Sequence, residues 1–322
     1  MERIEEIFDK VMVGEDITVE EAKELSKVND NQILDLIVMS KKITDKFTDG
    51  EIDFCSIVNA KSGSCSEDCK FCAQSAHYDV EVTDYSMLLE DEIIEKAKKK
   101  EEQGADHFGI VTSGKGVISD GEVQKLIKVI KRLNQETDLK VCLSLGTLSK
   151  KAAEELAGSG LNRYHHNLET SRSYFSEICT THNYQERVET VANVKEVGLE
   201  ICCGGIIGLG ESFADRIEMA FELKRLDVDS VPINILNPVE GTPLEDNERL
   251  EPLEILKTIA IFRFILPDKL IRYGGGREDN LRDLQSLGVL AGVNGLLIGN
   301  YLTTKGREAT EDIQMIKDLG LI

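Results

Sequence analysis

Short β-branched apolar runs alternate with amphipathic helical stretches over most of the chain. One such stretch places Val123, Leu126, Ile130 and Leu133 on a single helical face. Alternating strands and helices are typical of a parallel sheet, and eight such units predict a closed (β/α)8 TIM-type barrel of the α/β class. A doubly wound open sheet is the alternative if the strand count is wrong. The predicted strands are 52–58, 108–112, 141–145, 162–168, 201–207, 230–236, 270–273 and 295–298.

The first 47 residues have a helical pattern that precedes any strand. Ile4, Ile7 and Val11 recur at helical spacing, and Thr18 with Glu21 forms a capping-box signature. We therefore predict an N-terminal helical extension over 1–47 that acts as a lid or cap. The catalytic barrel is expected over 48–300, and a C-terminal extension over 301–322 is expected to close the barrel.

The 322-residue chain carries a formal net charge of −21. This charge argues against nucleic-acid and anionic-membrane partners, because both call for a basic protein face. We find no signal-peptide pattern and no apolar run long enough to span a bilayer. We therefore expect a cytoplasmic protein, whose eight cysteines are metal ligands, catalytic thiols or buried apolar residues rather than disulfides.

Three cysteines, Cys65, Cys69 and Cys72, follow the first predicted strand at the spacing C-x3-C-x2-C. Cysteine thiolates are the usual ligands of iron–sulfur clusters. Three ligands on a four-iron cluster leave one iron open to a substrate, and this spacing resembles that of the radical S-adenosylmethionine (SAM) enzymes. Since barrel active sites lie on the loops after the strands, we expect the cluster at the barrel mouth. A structural zinc site with His77 as the fourth ligand is the alternative.

Other strand ends carry polar or glycine-rich segments. Segment 204–211 has glycines that permit close approach of a ligand to the backbone, and Glu211 is expected to open the next helix. Asn167 and Glu169 are expected on one face of the fourth strand, where they suit hydrogen bonding to a polar ligand. Arg272 lies within an apolar strand, so it must be paired in a salt bridge or bound to a ligand.

The ordered set of motifs from residue 57 to the C-terminus resembles the biotin synthase family of the radical SAM superfamily. Besides the cysteine loop, the resemblance rests on segments 145–149, 166–170, 184–187, 204–211, 231–234, 241–244 and 303–304. It implies that a 5′-deoxyadenosyl radical made from SAM abstracts hydrogen from dethiobiotin, and that an auxiliary iron–sulfur cluster donates the sulfur of biotin. It also implies a flavodoxin- or ferredoxin-type electron donor and a homodimer.

The resemblance assigns roles to individual residues, and it implies no catalytic side chains beyond the ligands of the two clusters. The 4Fe-4S cluster would be held by Cys65, Cys69 and Cys72. The residues implied to contact SAM are Thr112, Ser113, Glu169 and Arg187, with Gly204, Ile206 and Gly208 against its adenine. The residues implied to contact dethiobiotin are Asn167 and Asn234 at its ureido ring, with the backbone of Thr303 and Thr304 at its carboxylate.

The auxiliary cluster departs from the family pattern. Three of the usual four ligand positions are matched by Cys142, Cys202 and Arg272, but Gly109 occupies the remaining cysteine position. A second departure is His165, which stands where the family commonly has asparagine.

Surplus cysteines lie near the same depth of the predicted barrel. Cys55 is on the first strand and Cys203 follows Cys202, although strand alternation sends Cys202 and Cys203 to opposite faces. We hypothesise a 4Fe-type auxiliary cluster with an additional sulfide, ligated by Cys55, Cys142 and Cys202, with Cys203 or Arg272 as further partners. The usual 2Fe-2S cluster is the alternative.

Other interpretations of the chain remain open. Another radical SAM enzyme, such as a hydrogenase-cofactor maturase or an amino-acid mutase, is one alternative function, and a non-catalytic zinc-binding barrel is another. Cys179 lies outside the predicted strands, and we interpret it as a buried apolar residue.

Overall fold

The computed structural model describes residues 2–116, 119–303 and 306–322. Its strands are β1 Asp53–Lys61, β2 His107–Thr112, β3 Lys140–Ser144, β4 Arg163–His165, β5 Glu200–Cys202, β6 Gly205–Ile207, β7 Ser230–Ile235, β8 Leu270–Tyr273 and β9 Gly295–Leu297. All pairings between these strands are parallel, in the order β5-β4-β3-β2-β1-β9-β8-β7-β6, and a further pairing between β5 and β7 closes the sheet. Because β5 and β6 are two parts of one strand position, the barrel has eight positions. The predicted (β/α)8 barrel is confirmed.

Helices connect the strands and surround the barrel. They are α1 Glu2–Met12, α2 Val19–Ser26, α3 Ile33–Phe47, α4 Glu90–Glu102, α5 Asp120–Glu136, α6 Lys150–Ala157, α7 Phe175–Ile178, α8 Tyr184–Glu196, α9 Phe213–Arg225, α10 Pro252–Ile265, α11 Arg277–Leu281, α12 Gln285–Leu290 and α13 Ala309–Asp318. Short 3₁₀ helices lie at Asp30–Gln32 and Arg282–Leu284. Within the described residues, no helix combines the length and the apolar character that crossing a membrane requires.

The fifth strand position is interrupted, whereas the sequence predicted a continuous strand over 201–207. Cys202 pairs with Ser230 and Gly205 pairs with Ile233, so the register is kept across the break. The cause is a side chain that takes over a backbone hydrogen bond, since the Gly204 N–H donates to Asn167 Oδ1 at 3.1 Å. The break therefore fixes a polar side chain at the barrel mouth.

The fourth strand is also shorter than predicted, because it ends at His165. Glu169 has φ 70°, a left-handed conformation that a strand does not contain. Asn167 and Glu169 consequently lie in a loop rather than on one face of a strand. Their side chains still meet, because Asn167 Nδ2 donates to Glu169 Oε2 at 3.2 Å.

The N-terminal helices cover the outside of the barrel. The apolar face of α3, with Ile33, Leu36 and Ile43 buried, packs against α10 and α12, and α2 packs against α9 and α10. Ser40 Oγ donates to Ala291 O at 2.5 Å. No described residue of 2–47 lines the two cavities at the barrel mouth.

The C-terminal segment returns to the barrel mouth. Tyr301 and Thr303 line a cavity there, and α13 follows them. Arg277 Nη2 lies 2.5 Å from Asp312 Oδ2, and both side chains are fully buried. This ion pair ties α13 to α11, which follows β8.

Candidate active site

The cysteine loop leaves the end of β1 and folds back on itself at the barrel mouth. The Cys65 N–H donates to Gln74 O at 3.0 Å, and the Ala76 N–H donates to Cys65 O at 2.8 Å. A further turn is closed by the Cys72 N–H, which donates to Cys69 O at 2.9 Å. All three predicted cluster ligands line one cavity of about 170 Å³. Three thiols converging on one cavity fit a cluster that is held by three cysteines.

The four residues predicted to contact SAM through its amino-acid part or ribose line the same cavity. They are Thr112, Ser113, Glu169 and Arg187. Ser113 is fixed at the end of β2, because its N–H donates to Lys61 O at 3.0 Å and its hydroxyl donates to Gly63 O at 2.7 Å. The structure therefore places these candidates beside the cysteine loop.

Arg187 and Glu169 form a buried polar pair in this cavity. Arg187 is 8% exposed, and its Nη1 donates to Asn167 O at 2.9 Å and lies 3.4 Å from Glu169 Oε1. Arg187 Nε donates to His182 Nε2 at 3.1 Å. These contacts hold the guanidinium in one place, where it can bind an anionic group of a ligand.

The glycine-rich segment contributes mainly through its backbone. The Ile206 N–H donates to Glu169 O at 2.7 Å, and of the three predicted adenine contacts only Ile206 lines a cavity. A Cβ on Gly204 would lie 2.0 Å from Pro232 O, so this position requires glycine for steric reasons. Gly208 donates to the carboxylate of Glu211, which precedes α9 rather than opening it.

A second cavity, of about 410 Å³, extends into the barrel below the first and contains the predicted auxiliary-cluster residues. Three cysteines line it together with two arginines and a histidine: Cys55, Cys142, Cys202, Arg163, Arg272 and His165. Gly109 lines it as well, opposite Cys142 in the register of β2 and β3. The thiols and guanidinium groups in one cavity fit an anionic cluster.

Cys203 does not reach this cavity. It is fully buried in the hydrophobic core outside the barrel interior, and its N–H donates to Ser230 O at 2.8 Å. Strand alternation explains its position, because Cys202 and Cys203 point to opposite faces. Cys203 is therefore removed from the set of cluster candidates.

The three barrel thiols differ in acidity. Burial raises the pKa of Cys55 to about 11 and also raises the pKa of Cys142. Burial opposes the Cys202 thiolate too, but the adjacent His165, whose Nδ1 is 3.4 Å from Cys202 Sγ, lowers the pKa of Cys202 to about 7. Cys202 is thus the barrel thiol most easily deprotonated, and a thiolate is the form that binds iron.

Arg272 forms the internal salt bridge that the sequence left as one of two possibilities. Its Nη2 lies 2.5 Å from Asp53 Oδ1, at the start of β1. His107 Nδ1 lies 3.0 Å from the other Asp53 oxygen. Arg272 Nε is buried without a hydrogen-bond partner among the described residues, which suits a further acceptor in the cavity. No motif or spacing in the sequence indicates these roles of Asp53 and His107.

Three of the four predicted dethiobiotin contacts line the deeper cavity. These are Asn167, Asn234 and Thr303, whereas Thr304 lies outside the described residues. Asn234 Oδ1 accepts from the Gly275 N–H at 2.9 Å, and Asn234 Nδ2 donates to Gly205 O at 3.2 Å. The backbone therefore fixes the orientation of this amide.

Sequence reasoning missed a set of side chains behind the cysteine loop. Cys179 is buried as predicted, but its Sγ lies 3.8 Å from Cys69 Sγ and 3.2 Å from His182 Nδ1. The hydrogen bond from Cys69 lowers the pKa of Cys179 to about 4 and raises that of Cys69. His77, the predicted zinc ligand, instead has its Nε2 2.9 Å from Ser66 O and does not line the cavity.

Family profiles and solved structures define the class of the protein. The Radical SAM superfamily profile matches residues 61–223, and the Biotin and Thiamin Synthesis associated domain matches residues 232–322. Methylornithine synthase (PylB) has a similar fold, with a TM-score of 0.83 at 19% identity over 98% of this chain and 96% of that one. The FeFe-hydrogenase maturase HydG from Carboxydothermus hydrogenoformans gives 0.82 at 19% identity over 99% and 78%. The fold and the matched profile are those of the radical SAM superfamily.

Full-length relatives identify the family within this class. The biotin synthase of Carboxydothermus hydrogenoformans is 55% identical over 99% of this chain and 98% of its own length. The biotin synthase of Clostridium acetobutylicum is 52% identical over 98% and 96%. The chain belongs to the biotin synthase family, and the predicted biotin synthase function is confirmed.

Proposed function

We propose that the two adjoining cavities divide the biotin synthase reaction between them. The upper cavity binds the 4Fe-4S cluster and SAM, and the deeper cavity binds dethiobiotin above an auxiliary cluster. The observation that carries this proposal is that the cavities share lining residues, among them Phe71, Cys72, Asn167 and Glu169. A radical formed in one cavity would therefore meet a substrate held in the other without crossing solvent.

The chain's own residues bind and orient the reactants. When bound, the 4Fe-4S cluster would provide the electron that cleaves SAM, and the auxiliary cluster would provide the sulfur. Arg187, fixed by Asn167 O and His182, would bind the carboxylate of SAM, and Glu169 would accept hydrogen bonds from its ribose. Asn167 and Asn234 would present amide groups to the ureido ring. Such fixed geometry favours the productive hydrogen abstraction over side reactions.

Apolar side chains at the junction of the cavities would exclude water. Phe71, Val111 and Leu302 line both cavities. A carbon-centred radical abstracts hydrogen from any group it can reach, so a dry and closely packed junction limits its choices to the substrate. We expect these residues to control the yield of biotin per SAM cleaved.

The position of Cys55 favours an auxiliary cluster larger than 2Fe-2S. Gly109, at the usual ligand position, pairs with Ile57 on β1, and Cys55 lies two residues before Ile57. One strand spacing and two residues along a strand correspond to about 4.8 and about 6.6 Å, so the ligand position has moved by about 8 Å. A ligand set displaced by that distance suits a 4Fe-type cluster with an additional sulfide, held by Cys55, Cys142 and Cys202. Arg272, already paired with Asp53, would stabilise its negative charge.

The remaining parts of the proposal rest on the family relationship. The electron donor would be a flavodoxin- or ferredoxin-type protein, and the protein would act as a cytoplasmic homodimer. The Biotin and Thiamin Synthesis associated domain, matched over 232–322, contains Thr303 and Thr304, which are proposed to bind the carboxylate of dethiobiotin.

Iron and sulfide analysis after anaerobic reconstitution tests the auxiliary cluster. We expect about eight irons per chain, whereas the usual 4Fe plus 2Fe arrangement would give about six and contradict the proposal. The Cys142→Ala variant should retain about four irons, because only the cysteine-loop cluster remains. Cys203→Ala is the matched control, since Cys203 lies outside the cavity, and it should retain the wild-type iron content.

An activity assay tests whether SAM cleavage and sulfur insertion depend on different cavities. Anaerobic incubation with SAM, a reductant and dethiobiotin should give 5′-deoxyadenosine and biotin with the wild type. The Cys142→Ala variant should still cleave SAM but form no biotin. If this variant formed biotin at the wild-type rate, the barrel thiols would not hold the sulfur source.

A further inference from the structure

Three metal-ligating side chains meet behind the cysteine loop, and the biotin synthase reaction does not account for all of them. The ligand atoms of Cys69, Cys179 and His182 all lie within 4.8 Å of one another. Cys179 Sγ is 3.8 Å from Cys69 Sγ and 3.8 Å from His182 Nε2. The residues are 8%, 3% and 8% exposed, respectively. Thiolate sulfur and imidazole nitrogen are the ligand types that zinc prefers in proteins.

We propose that the cluster-free chain binds one divalent cation of the zinc class through Cys69 Sγ, Cys179 Sγ and His182 Nε2, and that this ion excludes the 4Fe-4S cluster. Metal–sulfur bonds of about 2.3 Å and metal–nitrogen bonds of about 2.0 Å give tetrahedral edges of about 3.8 Å between sulfurs and about 3.5 Å between sulfur and nitrogen. The separations of Cys179 Sγ from Cys69 Sγ and from His182 Nε2, both 3.8 Å, are within a few tenths of an ångström of these edges, and the ligand atoms of Cys69 and His182 lie within 4.8 Å of each other. The ion binds both sulfurs as thiolates, which neutralise its charge, and any thiol proton still present is released to solvent.

The neighbouring residues already provide the outer support of such a site. Glu67 Oε2 lies 2.6 Å from His182 Nδ1, so the carboxylate can accept the Nδ1 proton and direct the Nε2 lone pair inward. Arg187 Nε now donates to Nε2 at 3.1 Å and would turn away when the ion binds. Its Nη1 can remain on Asn167 O. Binding therefore displaces the hydrogen bond between Arg187 Nε and His182 Nε2.

The ion and the cluster use different ligand sets that overlap at one residue. Among the described residues, the metal-ligating group includes neither Cys65 nor Cys72. Both occupants need the thiolate of Cys69, so an ion in this site prevents the third cluster bond from forming. The site would thus control whether the cluster-free protein can accept its cluster. This exclusion rests on the proposed role of Cys69 in the cluster, whereas the ion site itself does not.

Cobalt titration of the cluster-free protein under anaerobic conditions tests the site, because tetrahedral Co²⁺ with thiolate ligands absorbs in the visible range. Difference spectra between wild type and variants isolate this site from the barrel thiols, which both proteins share. We expect Cys179→Ser and His182→Gln to lose about one bound Co²⁺ per chain, the occupancy of a single site. Cys65→Ser is the matched control, since it removes a cluster thiol but no ligand of the ion, and it should keep the wild-type spectrum. Loss in Cys65→Ser with retention in Cys179→Ser would overturn the proposal in favour of a site within the cysteine loop, and so would identical spectra for all proteins.

Zinc preloading tests the exclusion separately. One equivalent of Zn²⁺ should slow the appearance of cluster absorbance during reconstitution of the wild type by about tenfold or more, as expected for mutually exclusive ligands. The same addition should not slow Cys179→Ser, which retains all three cluster cysteines. Equal slowing in both proteins would refute the exclusion. If cobalt binds as expected but no cluster can be built in any protein, the proposed cluster fails while the ion site stands.

Discussion

Replacing Asp53 with asparagine should destabilise the cluster-free protein, because it leaves a charged arginine unpaired inside the barrel. Arg272 is 3% exposed, and its main partner is Asp53 at 2.5 Å. Breaking a buried ion pair by removing one partner costs about 3–5 kcal/mol. The Asp53 side chain keeps 19% exposure, so we take the lower end, about 3 kcal/mol. An unfolding entropy of about 2.1 cal/mol/K per residue gives about 0.7 kcal/mol/K for 322 residues, and hence a decrease in Tm of about 4 °C.

The pH dependence of the Tm difference between wild type and Asp53→Asn provides a second test. Burial alone would raise the pKa of Asp53, but Arg272 and His107 hold that pKa well below its ordinary value. The ionised carboxylate therefore stabilises the fold above its unfolded pKa of about 3.9, and this contribution is lost as the pH falls through the lower folded pKa. The Tm difference between wild type and Asp53→Asn should be fully present at about pH 6 and should narrow below about pH 4.

Anaerobic calorimetry of the cluster-free proteins measures both effects. Asp35→Asn, which removes an exposed acid on α3, is the matched control and should shift Tm by less than about 1 °C. Adding Arg272→Met to Asp53→Asn should recover part of the loss, because the unpaired charge is removed. A Tm for Asp53→Asn as close to wild type as that of the control would refute the reasoning.

Three further predictions concern the cavities. His165→Asn should raise the pKa of Cys202 from about 7. At pH 8 the cluster-free variant should therefore contain about one thiolate fewer than the wild type, measured by absorbance at 240 nm. Equal absorbance would show that His165 does not lower the pKa of Cys202. Arg187→Lys should raise the Kd for SAM roughly 10- to 150-fold in equilibrium dialysis, because a charge-assisted hydrogen bond contributes about 1.5–3 kcal/mol. An unchanged Kd would exclude Arg187 from the SAM site. In Gly204→Ala the new Cβ would lie 2.0 Å from Pro232 O. This variant should retain its iron content, but its kcat/KM for dethiobiotin should be about 100-fold lower. Wild-type kinetics would show that the strand break tolerates a side chain.

The fold could be predicted because its signals are local and repeated. Each of the eight strand positions is a short apolar run, and the spacing of Cys65, Cys69 and Cys72 lies within one loop. The interruption at Gly204 could not be predicted in the same way, because it depends on a hydrogen bond that the Gly204 N–H donates to Asn167, 37 positions away in the chain. Tertiary contacts of this kind leave no periodicity in the sequence.

The same distinction between local patterns and distant contacts applies to the residues of the candidate site. The thiols that line the barrel cavity occupy inward positions of strands, so alternation correctly separated Cys202 from Cys203. By contrast, the contact of Cys179 with Cys69 joins two loops that are 110 residues apart. The sequence alone predicts an ordinary buried apolar residue at Cys179, because nothing near it in the sequence marks a ligand.

The ion pair of Arg272 with Asp53 bears on which residues would ligate the proposed auxiliary cluster. Its Nη2 is bound to Asp53 and its Nη1 lies 3.4 Å from Leu296 O, so the guanidinium is directed toward the base of the barrel rather than toward a metal. The proposed cluster would need another ligand at that depth, and Cys55, which lines the same cavity as Gly109, would provide the thiol. In the proposed cluster, Arg163 and Arg272 would lie beside three cysteine ligands, where their charges would offset the anionic sulfur. Restoring cysteine at Gly109 alone should therefore not restore a 2Fe-2S site, because its Cβ would lie 3.0 Å from Ile57 and Arg272 would remain paired.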